Sequence, residues 1–150
     1  MKTSRRFSSQ RETLKTMSEE SPKRPAADGF VIIPTTNSNF LRSWLEVMRP
    51  LHHLAPREMD FAAVLLAKRH EIEKEVTNQN LIDKLLFEEE NKEAMMKEAG
   101  VTKMHMQAIL RRLRENGFLE GKKIAKMYRP SWTEGTPFRM VFVFENKNDA

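Results

Sequence analysis

At 150 residues, with 39% apolar and 31% charged residues, the chain has the length of one domain and the composition of an ordinary folded protein, not of a disordered or membrane one. No apolar run approaches the roughly 20 residues of a bilayer span, and the absence of cysteine excludes disulfides, thiolate metal sites and a cysteine nucleophile. The net charge of +5 is unevenly spread: residues 1–28 carry +3 and residues 101–129 carry +6, leaving −4 elsewhere, and such a basic stretch attracts nucleic acid or an acidic protein surface.

Residues 1–28 are polar, rich in Ser, Arg and Glu, and interrupted by Pro22 and Pro25. They bury too little apolar surface to offset their ordering entropy, which predicts a tail that is flexible or ordered by a partner. Arg5-Arg6 lacks the apolar segment of a twin-arginine export signal, and no signal core follows the basic start. Residues 29–54 are expected to supply a strand and a helix ahead of the main domain. Gly29 to Pro34 is the β-type run. Asn37 or Ser38 is expected to cap a helix carrying Phe40, Leu41, Trp44, Leu45, Met48 and Leu51 at three- and four-residue spacing, with Pro50 near its end.

The domain proper is expected over residues 55–150. Pro56 opens a helix with Glu58 and Asp60 at its positive end; it presents Met59, Ala62, Ala63, Leu65 and Leu66 and ends among Lys68, Arg69 and His70. A third helix shows Leu81, Ile82, Leu85 and Leu86. Asn91 is placed to cap a short helix, Lys92 to Ala99, that buries Ala94, Met95 and Ala99, and Gly100 supplies a left-handed stop. Thr102 then caps a longer helix to about Asn116, with Met106, Ile109, Leu110 and Leu113 as its buried stripe and Gly117 ending it. Short helix, glycine turn, longer helix is the helix–turn–helix pattern.

Phe118-Leu119 and Lys122 to Tyr128 follow as paired strands around Gly121, and Phe138, Met140, Phe142 and Phe144 alternate with Arg139, Val141 and Val143 as a further period-two strand. Leu65, Leu66, Leu110, Leu113 and Phe142 are the expected core. The fold class is therefore α+β and mainly helical: a winged helix–turn–helix with a C-terminal β-hairpin and an extended N-terminal tail. The phrase Arg112-Leu113-Arg114-Glu115-Asn116-Gly117-Phe118-Leu119 resembles the end of the recognition helix and the first wing strand of MarR-like winged-helix regulators. The Pro56 helix resembles their scaffold helix, and the likeness spans about residues 55–145.

Nothing in the sequence points to catalysis. His52, His53, His70 and His105 lack metal-ligand spacing and read as surface or half-buried residues. Glu88-Glu89-Glu90 reads as a solvated turn between helices, and no phosphate loop, nucleophile elbow or dinucleotide fingerprint is present. No cofactor, metal or small-molecule substrate is expected.

The candidate interface lies on the longer helix and the wing. Lys103, Met104, Gln107, Ala108 and Arg111 share the exposed helix face, where Lys103, Gln107 and Arg111 suit base edges while Met104 and Ala108 dilute them with apolar surface. Arg112, Arg114, Lys122, Lys123, Lys126 and Arg129 supply cations that would contact phosphates on DNA, or else keep a hairpin soluble. Two functions follow: a DNA-binding transcriptional or replication regulator, or a structural protein that docks on other proteins through a winged helix.

Three phrases bear on this choice: Met48-Arg49-Pro50-Leu51-His52 through Leu54-Ala55-Pro56-Arg57-Glu58, Asn80 to Phe87, and Phe138 to Phe144. Together they resemble small virion-module proteins of crAss-like tailed phages of gut bacteria. That resemblance implies a neck or portal-associated component, located in the virion and assembled in the host cytoplasm. Its partners would be other virion proteins and copies of itself, with nucleic acid the alternative and no membrane contact. The lack of cysteine suits that setting as well as a cytoplasmic regulator.

Overall fold

The computed structural model describes residues 29–145; the expected tail, residues 1–28, lies outside them. The described chain is α+β and mainly helical, with six α-helices and one two-stranded antiparallel sheet. Residues 30–36 form neither helix nor strand, so the expected strand at 29–34 is corrected. Pro34 brings no N–H to a ladder, and the only described sheet is the pair formed far along the chain. A compact unit begins at Asn37, ahead of the boundary expected near residue 55.

Its first helix, α1 (Phe40–Val47), buries Leu41, Trp44 and Leu45. Asn39, rather than Asn37 or Ser38, stands at its cap position. The helix stops before Met48, and Pro50 opens a single further turn, α2 (Arg49–His52). This break turns Leu51 out of the expected stripe, leaving it exposed while Met48 remains buried.

Helix α3 (Pro56–Glu73) is the spine, packing against α1 and against the three helices that follow it. Pro56 occupies the first turn, and the Glu58 carboxylate accepts from the Ala55 backbone N–H at 2.9 Å. Met59, Phe61, Ala62, Leu65 and Leu66 are buried. The helix runs past the basic cluster at 68–70 because Arg69 is buried and compensated, ion-paired with Glu73 and with Asp83 of α4 (Gln79–Leu86). Asn78 caps α4 by accepting from Leu81 N at 3.1 Å; Ile82 and Leu86 face the core, and Leu81 faces water.

Helix α5 (Glu89–Ala99) starts earlier than Asn91 suggests. The Asn91 side chain is occupied elsewhere, donating to the Leu85 carbonyl at 2.6 Å. Glu89 and Glu90 consequently lie in the first turn, where the positive helix end favours carboxylates, and not in a loop. Met95 is buried, Ala99 half-buried and Ala94 exposed. Gly100, at φ +69°, closes the helix in the left-handed conformation: its N–H donates to Lys97 O at 3.3 Å and that of Val101 to Met96 O at 3.1 Å.

Thr102 caps α6 (Lys103–Glu115) by accepting from His105 N at 3.1 Å, and Met106, Ile109, Leu110 and Leu113 form the expected buried stripe. After Gly117 come β1 (Leu119–Glu120) and β2 (Lys123–Ile124), with Leu119 opposite Ile124 and Glu120 opposite Lys123. The second strand is shorter than the expected 122–128 run, because the chain tightens into a 3-10 turn at Lys126–Tyr128.

That turn seals the core. Tyr128 is buried, stacked on Phe118 with centroids 5.4 Å apart, and its carbonyl accepts from Trp44 Nε1 at 3.3 Å. Residues 138–144 form no strand, and Phe142, expected in the core, is 83% exposed. Only two residues of β2 are extended, which leaves no long edge for this run to join. Its alternation also sets apolar against apolar, so no register is dictated by a wet and a dry face.

Candidate partner-binding face

Helix α6 is held rigidly. Thr102 fixes its first turn, and its stripe is locked against α3, with Leu113 wholly buried. Its outer face presents Lys103, Met104, Gln107 and Arg111 to solvent, with Ala108 half-buried among them. The structure thus brings together the five residues expected on that face. Met104 is 80% exposed, more than any other large apolar side chain on the described α-helices.

The cations separate into two groups. Lys122, Lys123 and Lys126 are exposed on the hairpin and the 3-10 turn, and with Lys103 and Arg111 they make no ion pair among the described residues. Arg112, Arg114 and Arg129 are bound into the fold. Arg112 Nε donates to Glu58 Oε2 at 3.2 Å and Nη1 to Glu115 Oε1 at 3.5 Å. The Glu58 hydrogen bond and charge push the Arg112 pKa above its ordinary value. Glu58 thereby caps α3 and docks the last turns of α6 onto its start.

Arg114 Nε donates to the Gly121 carbonyl at 3.0 Å, tying the hairpin turn to the end of α6. Arg129 turns towards α4, where Nη1 meets Gln79 Oε1 at 3.5 Å. It lines a small cleft with Arg69, His70, Glu73 and Trp132, and its Nε is buried without a hydrogen-bond partner among the described residues.

Sequence reasoning placed all eleven residues in one interface, and three of its arginines also have partners within the fold. No local pattern marks these: Glu58 and Arg112 are 54 residues apart, and Gln79 and Arg129 are 50 apart. Sequence reasoning also missed apolar surface on the described chain, namely exposed Met127 beside Lys126 and the exposed run from Met140 to Phe144. The signal for the latter was available in the absence of a polar face.

His52 is buried completely, against the surface or half-buried role expected for the histidines. Its Nε2 lies 2.8 Å from Leu45 O, and Leu54 N donates to Nδ1 at 2.9 Å. These partners define a neutral ring with the proton on Nε2. Burial pushes its pKa below the ordinary value, with His53 and Arg49 acting in the same direction. His70 stacks on Trp132 with centroids 4.2 Å apart. Among the described residues no group of three His, Asp or Glu side chains could hold a metal ion, and no helix is long and apolar enough to cross a membrane.

Compared with protein-family models, curated proteins and solved structures, the chain shows no match.

Proposed function

We propose that this chain is a non-enzymatic, winged-helix docking module that binds protein through the outer face of α6, as a structural component of a tailed-phage virion. The observation that carries the reading is Met104, 80% exposed at the centre of a face whose neighbours are Ala108, Lys103, Gln107 and Arg111. A mixed apolar and basic face on a rigid helix suits a protein groove, where a buried apolar side chain supplies affinity and a few cations set orientation. The internal engagement of Arg112, Arg114 and Arg129 supports it further, since fewer cations remain for a phosphate backbone. The resemblance to virion-module proteins of crAss-like phages supplies the setting, a neck or portal-associated assembly with other virion proteins as partners.

A second reading, a DNA-binding regulator, is favoured by five exposed cations without ion pairs among the described residues: Lys103, Arg111, Lys122, Lys123 and Lys126. There Gln107 and Arg111 would read bases while the wing lysines contact phosphates.

The test joins an assembly assay with a salt-dependent titration on random and selected duplex DNA. Met104→Asp is expected to abolish incorporation, since it removes an apolar contribution of roughly 1.5–3 kcal/mol and inserts a charge. Duplex binding is expected to be weak and indifferent to sequence. Sequence-selective binding that survives moderate salt, with normal assembly of Met104→Asp, would transfer the function to the regulator. Mass spectrometry of purified particles completes the test, with the chain expected at ring-like stoichiometry.

A further inference from the structure

The step from α6 into the hairpin carries an Asn-Gly pair, Asn116-Gly117, the single such pair in the sequence. Its reactivity is intrinsic. A glycine backbone nitrogen has no side chain beside it, so once deprotonated it can attack the side-chain amide of the preceding asparagine. The fold holds this reaction back. Asn116 keeps helical backbone at ψ 4°. That angle turns the Gly117 nitrogen a third of a turn around the Cα–C bond away from Cβ, whereas closing a five-membered ring needs the two eclipsed. The nitrogen is also engaged, its N–H donating to Arg114 O at 3.1 Å, and the amide that would be attacked donates through Nδ2 to Arg112 O at 3.1 Å. Burial adds little protection: Asn116 is half-buried and Gly117 exposed. The barrier added by the fold is thus the opening of one helix end, and helix ends open at small cost.

We propose that Asn116 is a self-modification site, converted to aspartate and isoaspartate at a rate set by opening of the last turn of α6. The step needs only water. Solvent base takes the Gly117 N–H proton, the nitrogen bonds to Asn116 Cγ, and the Cγ–Nδ2 bond breaks with release of ammonia. Water then opens the succinimide ring at Cγ, giving aspartate, or at the main-chain carbonyl carbon, giving isoaspartate. Both products change the junction. Each replaces a donor to Arg112 O with a carboxylate next to Glu115, at the negative end of the helix. Isoaspartate also adds a carbon to the main chain just before Gly117, whose φ of +80° directs the chain so that buried Phe118 donates to Leu113 O at 2.9 Å. Modification therefore loosens the connection between α6 and β1, and it does so whatever partner the α6 face binds.

The full chain is incubated folded at mildly alkaline pH and, in parallel, unfolded in guanidinium chloride, and peptide maps are followed by mass spectrometry. Peptides spanning Asn116 are expected to gain the mass of an amide becoming a carboxyl group, as both aspartate and isoaspartate, and faster as pH rises. The folded rate is expected to lie roughly tenfold below the unfolded rate, reflecting the opening of the two hydrogen bonds. Arg114 Nε donates to the Gly121 carbonyl at 3.0 Å and ties the hairpin to the same helix end. Arg114→Ala is therefore expected to raise the folded rate roughly threefold and to leave the unfolded rate unchanged. Asn116→Gln, whose attack would have to close a larger ring, is expected to abolish the mass gain. A folded chain that keeps its amide, equal rates in the two states, an Arg114→Ala variant as slow as the parent, or aspartate formed without isoaspartate would each overturn the proposal.

Discussion

Arg69 gives the sharpest test of how the helices are held. It is 3% exposed on α3, yet fully occupied: Nε meets Asp83 Oδ1 at 3.2 Å, Nη2 meets Gln79 Oε1 at 2.8 Å, and Nη1 pairs with Glu73. Arg69→Met keeps most of the packed stem and removes the guanidinium. Glu73, whose side chain is 38% exposed, then turns to water, whereas the Asp83 side chain, 12% exposed, is left without its cation. Removing one partner of a buried pair costs about 3–5 kcal/mol, a large share of the roughly 5–15 kcal/mol that holds a domain together. Asp83→Leu alone leaves Arg69 its Glu73 partner and is expected to cost less, about 1.5–3 kcal/mol. The double variant removes both charges and is expected to be more stable than Arg69→Met, with a coupling of about 2–3 kcal/mol. Urea unfolding with an unchanged slope measures all three. Additive losses, or an Arg69→Met variant within about 0.5 kcal/mol of the parent, would refute this account of the α3–α4 contact.

Two further outcomes are expected. Because burial lowers the His52 pKa in the fold, the unfolded chain takes up a proton first as pH falls below about 6.5. The associated stability is therefore present above that pH and is lost as pH falls towards the folded pKa, at up to about 1.4 kcal/mol per pH unit. His52→Gln is expected to flatten that segment of a pH–stability curve measured by denaturation. Thr102→Ala is expected to cost about 1 kcal/mol and to speed amide exchange at His105, whose N–H loses its cap.

Local chemistry made α6 and its approach legible. Thr102, Gly100 and Gly117 each act within a few residues, and the stripe from Met106 to Leu113 needs only the helical period. Misreadings arose where a side chain had a choice of partners. Asn91 fits a cap by sequence but reaches Leu85 O, and the apolar alternation of 138–144 carries no information about what it pairs with. His52 is fixed by Leu45 and Leu54, neighbours that become partners only after Met48 ends α1 and the chain turns.

The candidate interface was legible as a helix face, because periodicity determines which residues share it. Its electrostatics were not, since charge in a stretch of sequence is not charge on a surface. Of the eight cations between residues 101 and 129, Arg112, Arg114 and Arg129 find partners within the fold, and the other five are exposed and make no ion pair among the described residues. This bounds the two functional readings differently. On duplex DNA, contacts by these five cations correspond to a slope of log K against log salt of roughly −4.5. Replacing Lys122, Lys123 or Lys126 would reduce that slope by about one unit each, for every sequence alike. On a protein groove the same lysines lie at a wet rim, where exposed charges alter encounter rates more than affinity, and the energy concentrates at Met104. A steep, lysine-dependent slope with no sensitivity at Met104 therefore belongs to the regulator. A shallow slope with strong sensitivity at Met104 belongs to the docking module.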